Sequence, residues 1–286
     1  MSKINNKLIK LIALCSLLIV GCSTAPKNPL DIRVLRNQAE VWLEMGNKES
    51  EQGRFTNSLR ILTEAKNNAV LSDDSSLIIR VCLSRGNVLF SLNRQDEAFA
   101  EWRQANSEAM RFKNVELISV SKIFLARGNL LAERQNARSI FEEVNRESDN
   151  IKVNRMYIAF SWQVRGLALR ILGSYTEAES AFKSSLEIHF KDGYLENAAY
   201  DWYMIASIRS LSKNTDGALQ ALEESLILDR RIENSWGIAS SYRAMGDIYT
   251  NMGQRQEAIT AYTRAKTIYE TMKNEDAVKE INKRLN

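Results

Sequence analysis

Proline is almost missing from this chain of 286 residues, which has only Pro26 and Pro29 near its start and none after them. Glycine is sparse at 12 residues, histidine occurs once as His189, and cysteine three times as Cys15, Cys22 and Cys82. A long stretch without proline and poor in glycine excludes all-β folds, which need frequent turn punctuation, and collagen-like or low-complexity chains. With 44% hydrophobic and 26% charged residues the chain is too apolar to be disordered. One histidine excludes a histidine cluster for zinc. The glycines form neither GxGxxG nor GxxxxGK[ST], so no phosphate cradle is present. Glu142-Glu143 and Glu223-Glu224 are neighbouring carboxylates that diverge by about 100° on a helix, which suits a solvated face and not a glycosidase pair. The sequence thus predicts no enzyme, no cofactor and no metal.

What is present begins with a leader. Lys3, Lys7 and Lys10 precede an apolar run from Leu11 to Val20 that is too short to span a bilayer, since a spanning helix needs about 20 residues. Ile19-Val20-Gly21-Cys22 follows. This resembles the bacterial lipoprotein box. The resemblance implies cleavage after residue 21, lipidation of Cys22, and, because Ser23 and not Asp follows, sorting to the outer membrane facing the periplasm. Several acyl chains together anchor stably. Residues 22–29 would then be a lipidated tether reaching about 26 Å when extended, which holds the folded part close to the membrane. Cys82 would be the last free thiol, so no intramolecular disulfide is expected.

The leader also carries charge. The chain has 39 basic and 35 acidic residues, a net of +4. Without Lys3, Lys7 and Lys10 the balance falls to 36 against 35, and the compositional case for a nucleic-acid partner goes with it.

From about residue 39 the chain repeats every forty residues. One column is small: Gly46, Gly86, Gly128, Gly166, Ala206, Gly246. Twelve residues on lie Ser58, Ala98, Ala178, Ala218 and Ala258, with the third unit reaching Ala137 after only nine. Four before the first column stand Trp42, Cys82, Phe124, Trp162, Trp202 and Tyr242; four after the second stand Leu62, Trp102, Phe141, Phe182, Leu222 and Tyr262. Small residues let helix backbones approach while the large ones fill the adjoining holes. These columns resemble the tetratricopeptide repeat (TPR) signature. The resemblance implies an all-α, right-handed superhelical TPR solenoid over 30–286. About six helix-turn-helix repeats fall near 39–72, 79–112, 121–150, 159–192, 199–232 and 239–272, and a C-terminal capping helix spans 273–286. The long pitch implies extended helices. Val278, Ile281 and Leu285 share one face of the cap.

In TPR solenoids the first helix of each repeat lines a concave groove. The stripe offset from the core gives Asn47, Asn87 and Asn129, each following the small column. The family resemblance implies that such asparagines hydrogen-bond a ligand backbone; capping or solvating the groove is the competing reading. The column where a carboxylate clamp needs Lys reads Leu43, Leu83 and Leu125, which argues against recognition of a free C-terminal carboxylate. In the second half the stripe holds Phe160, Gln163, Arg170, Tyr200, Tyr203 and Arg243, residue types enriched at binding hot spots; packing between neighbouring units is the alternative. Arg85, Arg127 and Arg165 are expected to lay their stems over the core, and His189 to sit exposed on a second helix.

The function expected is a lipid-anchored periplasmic scaffold that binds protein segments in the groove and helps assemble an envelope complex. It is similar in plan to pilotins of secretins, to the helical lipoprotein of the β-barrel assembly machine and to adaptors for periplasmic hydrolases. The alternative is a small-ligand or transport-associated component using the aromatic pocket of repeats four to six. Partner identity and oligomeric state do not follow from the sequence.

Overall fold

The computed structural model describes residues 31–132 and 136–285. The leader, Cys22 and the tether lie outside the described residues, as do three residues of the third turn. Thirteen helices and no strand occur among the described residues, arranged as six hairpins and a final helix. Repeat one is α1 (Asp31–Glu51) and α2 (Phe55–Leu71); repeat two is α3 (Ser75–Ser91) and α4 (Gln95–Arg111). Repeat three is α5 (Val115–Ala132) and the short α6 (Ala137–Ser148); repeat four is α7 (Arg155–Ile171) and α8 (Tyr175–Asp192). Repeat five is α9 (Leu195–Leu211) and α10 (Thr215–Arg231), and repeat six is α11 (Ser235–Asn251) and α12 (Arg255–Thr271). The cap is α13 (Glu275–Leu285).

Local chemistry sets the helix ends. Asp74 accepts a hydrogen bond from the Leu77 amide at 2.9 Å, and Asn234 accepts one from Gly237 at 3.1 Å, each satisfying an otherwise orphaned N–H at a helix start. Gly53 closes the turn inside repeat one at φ 74°, a left-handed conformation that costs glycine nothing. Seventeen-residue helices, about 25 Å long at 1.5 Å per residue, recur through most of the chain and give the forty-residue pitch.

The small column does what close packing demands. A Cβ at Gly86 would collide with the indole of Trp102, which is fully buried and donates through Nε1 to the Leu83 carbonyl at 3.3 Å. Leu62, Phe182 and Leu222 are equally buried in the same column, so one core runs from repeat one to repeat six. A separate cluster around Tyr262 and Tyr269 joins the last repeat to the cap, where Ile281 is 0% exposed with Val278 and Leu285 beside it.

The superhelix completes a turn and touches itself. The Phe55 ring at the turn of repeat one meets the Trp236 ring at the start of α11, edge to face, with centroids 5.8 Å apart. A Cβ on Gly53 would lie 2.9 Å from Trp236 Cβ and 3.4 Å from Met272 Cε. The turn edge of the first repeat therefore rests on the linker edge of the last, and glycine is needed there for close approach as well as for its φ.

Candidate functional site

The concave face is built by the first helices. Asn47 and Asn87 are half-buried on it and Asn129 is exposed. The side-chain oxygen Oδ1 of Asn87 is buried with no hydrogen-bond partner among the described residues. Arg170, half-buried on α7, reaches Ser207 Oγ on α9 through Nη1 at 3.5 Å, while its Nε is buried and unpartnered. Buried polar atoms are nearly always paired; three are unpaired among the described residues, Arg165 Nε over the Trp162 ring away from this face, and Asn87 Oδ1 and Arg170 Nε on it, one acceptor and one donor.

The second-half residues expected in the groove divide by role. Tyr203 and Arg243 meet across repeats five and six, Nη2 donating to the phenol oxygen at 3.1 Å, and Arg243 also lies 4.0 Å from Asp247. Both are half-buried. Phe160 stacks on Phe124 with centroids 4.2 Å apart and joins repeats three and four. Tyr200 packs against the core near Phe182, and burial of its hydroxyl away from water pushes the pKa up. Gln163 is buried, and its Nε2 donates to Asp201 Oδ1 at 2.8 Å.

That last bond belongs to a polar cluster the sequence reading missed. His189 was expected on the surface; it is 1% exposed, with Nδ1 2.7 Å from Asp201 Oδ2 and 3.3 Å from Ser185 Oγ. The reason is helical spacing: His189 follows the buried Phe182 and Ser185 by seven and four residues, on the same inward face of α8. Ala69 and Ala109, buried at the same place in the first two repeats, are the signal that would have shown it. Burial pushes the Asp201 carboxyl pKa up, while hydrogen bonds from His189 and Gln163 pull it back. The cluster ties α7, α8 and α9 together inside the wall.

The arginines before the small column also differ from one another. Arg85 donates from Nε to Glu101 at 3.1 Å and from Nη1 to Thr63 at 2.5 Å, and Lys66 reaches the same carboxylate at 2.8 Å. This network fills the outer junction of repeats one and two. Arg165 lies over the Trp162 ring at 4.5 Å. Cys82 is buried and its thiol is pushed up to about 12, so it stays protonated and unreactive. No group of three potential metal ligands and no helix apolar enough to cross a membrane is found among the described residues.

The comparisons agree with this architecture. The tetratricopeptide repeat pattern matches residues 239–279, which are repeat six and the start of the cap. No curated protein matches the chain in sequence. Among solved structures the chain is similar to a Rap protein complexed with competence and sporulation factor, with a TM-score of 0.60 and 13% identity over 87% of this chain and 73% of that one. It is similar to BtubC from P. vanneervenii, with a TM-score of 0.54 and 15% identity over 79% and 92% of the two chains. It is also similar to PilW, a type IV pilus biogenesis factor, with a TM-score of 0.50 and 13% identity over 85% and 97%. At such identities the likeness is one of fold. The chain carries a tetratricopeptide repeat and has the fold of a TPR solenoid of six helix-turn-helix units with a terminal cap.

Proposed function

We propose that this TPR-type interaction scaffold is anchored by lipid at Cys22 to the outer membrane, faces the periplasm, and holds a segment of an envelope protein against its concave face. The observation that carries the binding half is the pair of unsatisfied groups on that face. Asn87 Oδ1 is an acceptor and Arg170 Nε a donor, the complement of one amide N–H and one carbonyl of a peptide backbone. Tyr203 and Arg243 add an aromatic and a cationic contact of the kind that dominates binding energy. The first and last repeats touch, so a bound segment would be held inside one superhelical turn.

The anchor rests on Lys3, Lys7, Lys10, the short apolar run and the Cys22 box, and the tether places the solenoid beside the membrane. An envelope-assembly role is favoured by the likeness to PilW, a pilus biogenesis factor. Cys22→Ala is expected to abolish lipid labelling and release the protein from membranes; continued outer-membrane fractionation would refute the anchor. Tyr203→Ala with Arg243→Ala is expected to lose the partner while helix content stays unchanged, and undiminished binding would remove that half of the groove from the site.

A further inference from the structure

The two edges of the solenoid differ in what they expose. Each hairpin has its own turn at one edge and its linker to the next hairpin at the other. Along the linker edge Leu71, Phe112, Val115, Val153 and Phe190 are exposed, from 49% at Phe112 to 82% at Val153. Each of the first four linkers carries at least one of them. The turn edge has only Leu131, Leu211 and Met252 among the described residues, each less than half exposed. Large apolar side chains gathered along one rim mark a surface that meets another apolar phase.

Polar groups join each linker to the next, so the rim is continuous. Ser75 donates to Glu108 at 2.6 Å and Arg111 donates to Ser75 at 3.2 Å, which joins the first linker to the second. The Val153 and Asn154 amides donate to Glu116 at 3.3 and 3.1 Å and join the second to the third. Arg155 donates to Asp192 at 2.7 Å and joins the third to the fourth. Lys113, Lys152 and Lys191 are exposed and take part in no ion pair among the described residues. Each is the direct neighbour in sequence of Phe112, Val153 or Phe190, whereas the exposed acids Asp73 and Asp149 have only polar neighbours.

In the last repeat the same edge is covered. Trp236 and Met272 stand at the linkers on either side of repeat six, and the turn of repeat one, with Gly53 and Phe55, packs on them. One superhelical turn thus closes this edge at its far end and leaves it open over repeats one to four. The first helix also starts here. It runs antiparallel to α2, and Arg36 in its second turn pairs with Asp74 at the first linker at 2.9 Å. Asp31 therefore stands at the linker edge, nine residues after Cys22. Nine residues reach no more than about 30 Å.

We propose that the linker edge of repeats one to four lies on the surface of an anionic bilayer, with Leu71, Phe112, Val115, Val153 and Phe190 in the headgroup layer and Lys113, Lys152 and Lys191 on lipid phosphates. The proposal rests on lipidation of Cys22 as proposed above and adds the face that meets the lipid. A short tether fixed at this rim turns it toward the bilayer. An apolar side chain beside a lysine is the pairing that a headgroup layer accommodates, the first in its apolar boundary and the second on its negative charge. The turn edge then points away from the lipid and leaves the concave face open on that side.

The test attaches a nitrobenzoxadiazole label to the full chain through Phe112→Cys or Val153→Cys on the linker edge, and through Gln95→Cys or Thr176→Cys on the turn edge. Cys82 is buried and takes no label. Vesicles of phosphatidylethanolamine and phosphatidylglycerol carry a spin-labelled lipid that quenches a label in the headgroup layer. Quenching is expected at 112 and 153 and not at 95 and 176, in the lipidated chain and, at higher vesicle concentration, in Cys22→Ala. Lys113→Ser, Lys152→Ser and Lys191→Ser should each raise the vesicle concentration for half-quenching of Cys22→Ala about fivefold, and phosphatidylcholine vesicles should abolish that difference. All the labelled positions are exposed, and circular dichroism confirms that each variant folds. Mass spectrometry reads lipid on Cys22 separately: the quenching pattern in a chain without lipid refutes the anchor and upholds the edge. A membrane-bound lipidated chain with no quenching at 112 and 153, or with equal quenching at 95 and 176, overturns the edge and upholds the anchor. A dimer formed without vesicles and broken by Phe112→Ser with Val153→Ser assigns the edge to a second copy and overturns the proposal.

Discussion

His189 and Asp201 show how a polar residue becomes structural in a solenoid wall. Each is within 1% of complete burial, and they share a 2.7 Å contact with Gln163 and Ser185 completing the set. Removing one member of such a pair strands the other in a dry interior. His189→Ala is therefore expected to cost about 3–5 kcal/mol in urea denaturation at neutral pH. Replacing His189, Asp201 and Gln163 together by Leu should recover most of that loss, because no charge is then stranded. A single-variant loss below about 1 kcal/mol would mean that the pair behaves like a surface contact. The histidine was not legible as buried from its own residue type. Its environment depends on Asp201 from the next repeat, and only comparison with Ala69 and Ala109 at the same place in earlier repeats reveals the inward column.

At the scale of elements, the hairpins were legible because the small and large columns state a packing rule repeated six times. Gly86 against Trp102 and Gly246 against Tyr262 are the same contact in two repeats. The cap was legible from Val278, Ile281 and Leu285. Its role follows from burial: Ile281 covers the open end of the last core cluster beside Tyr262 and Tyr269, while Arg284 donates to Asp247 at 2.9 Å and fixes α13 on α11. Ile281→Ala should cost about 2–5 kcal/mol. Since repeat arrays are stabilised by nearest-neighbour interfaces, hydrogen exchange should show α11 to α13 losing protection before α1 to α4. Uniform loss along the chain would contradict that picture. The apolar linker edge could not be read from the columns, because Leu71, Phe112 and Val153 lie outside them. What exposes it is the stacking of the hairpins, which turns successive linkers to the same side.

For the whole molecule the decisive feature is the seam, which no local pattern encodes because it depends on superhelical pitch. Phe55 and Trp236 make its apolar part. Beside it, Glu51 of α1 and Asp229 of α10 act on Glu196 of α9. Burial, and after it the charges of Glu51 and Asp229, push Glu196 up to about 8; burial pushes Asp229 up to about 6 against hydrogen bonds from Asn234 and Ser225, and Glu51 upward as well. A carboxyl with a raised folded pKa holds a proton that the unfolded chain releases. Its stabilising contribution is complete below the unfolded value near 4.5 and is lost as pH rises through about 8. Melting temperature should thus fall between pH 6 and about 8, and Glu196→Gln should flatten the upper part of that fall. An unchanged slope in Glu196→Gln would place the titration elsewhere.

The central claim is that the inward face, completed by the meeting of first and last repeats, holds a protein segment. The direct measurement is photo-cross-linking in the cell from positions 87 and 203 on that face, read by mass spectrometry, with position 267 on an exposed part of α12 as the reference. The same one or two envelope proteins should be captured from Asn87 and Tyr203, not from Thr267, and should disappear when Arg243→Ala is combined with the probe at Asn87. No protein adduct from either inner position, or the same adducts from Thr267, would contradict the account.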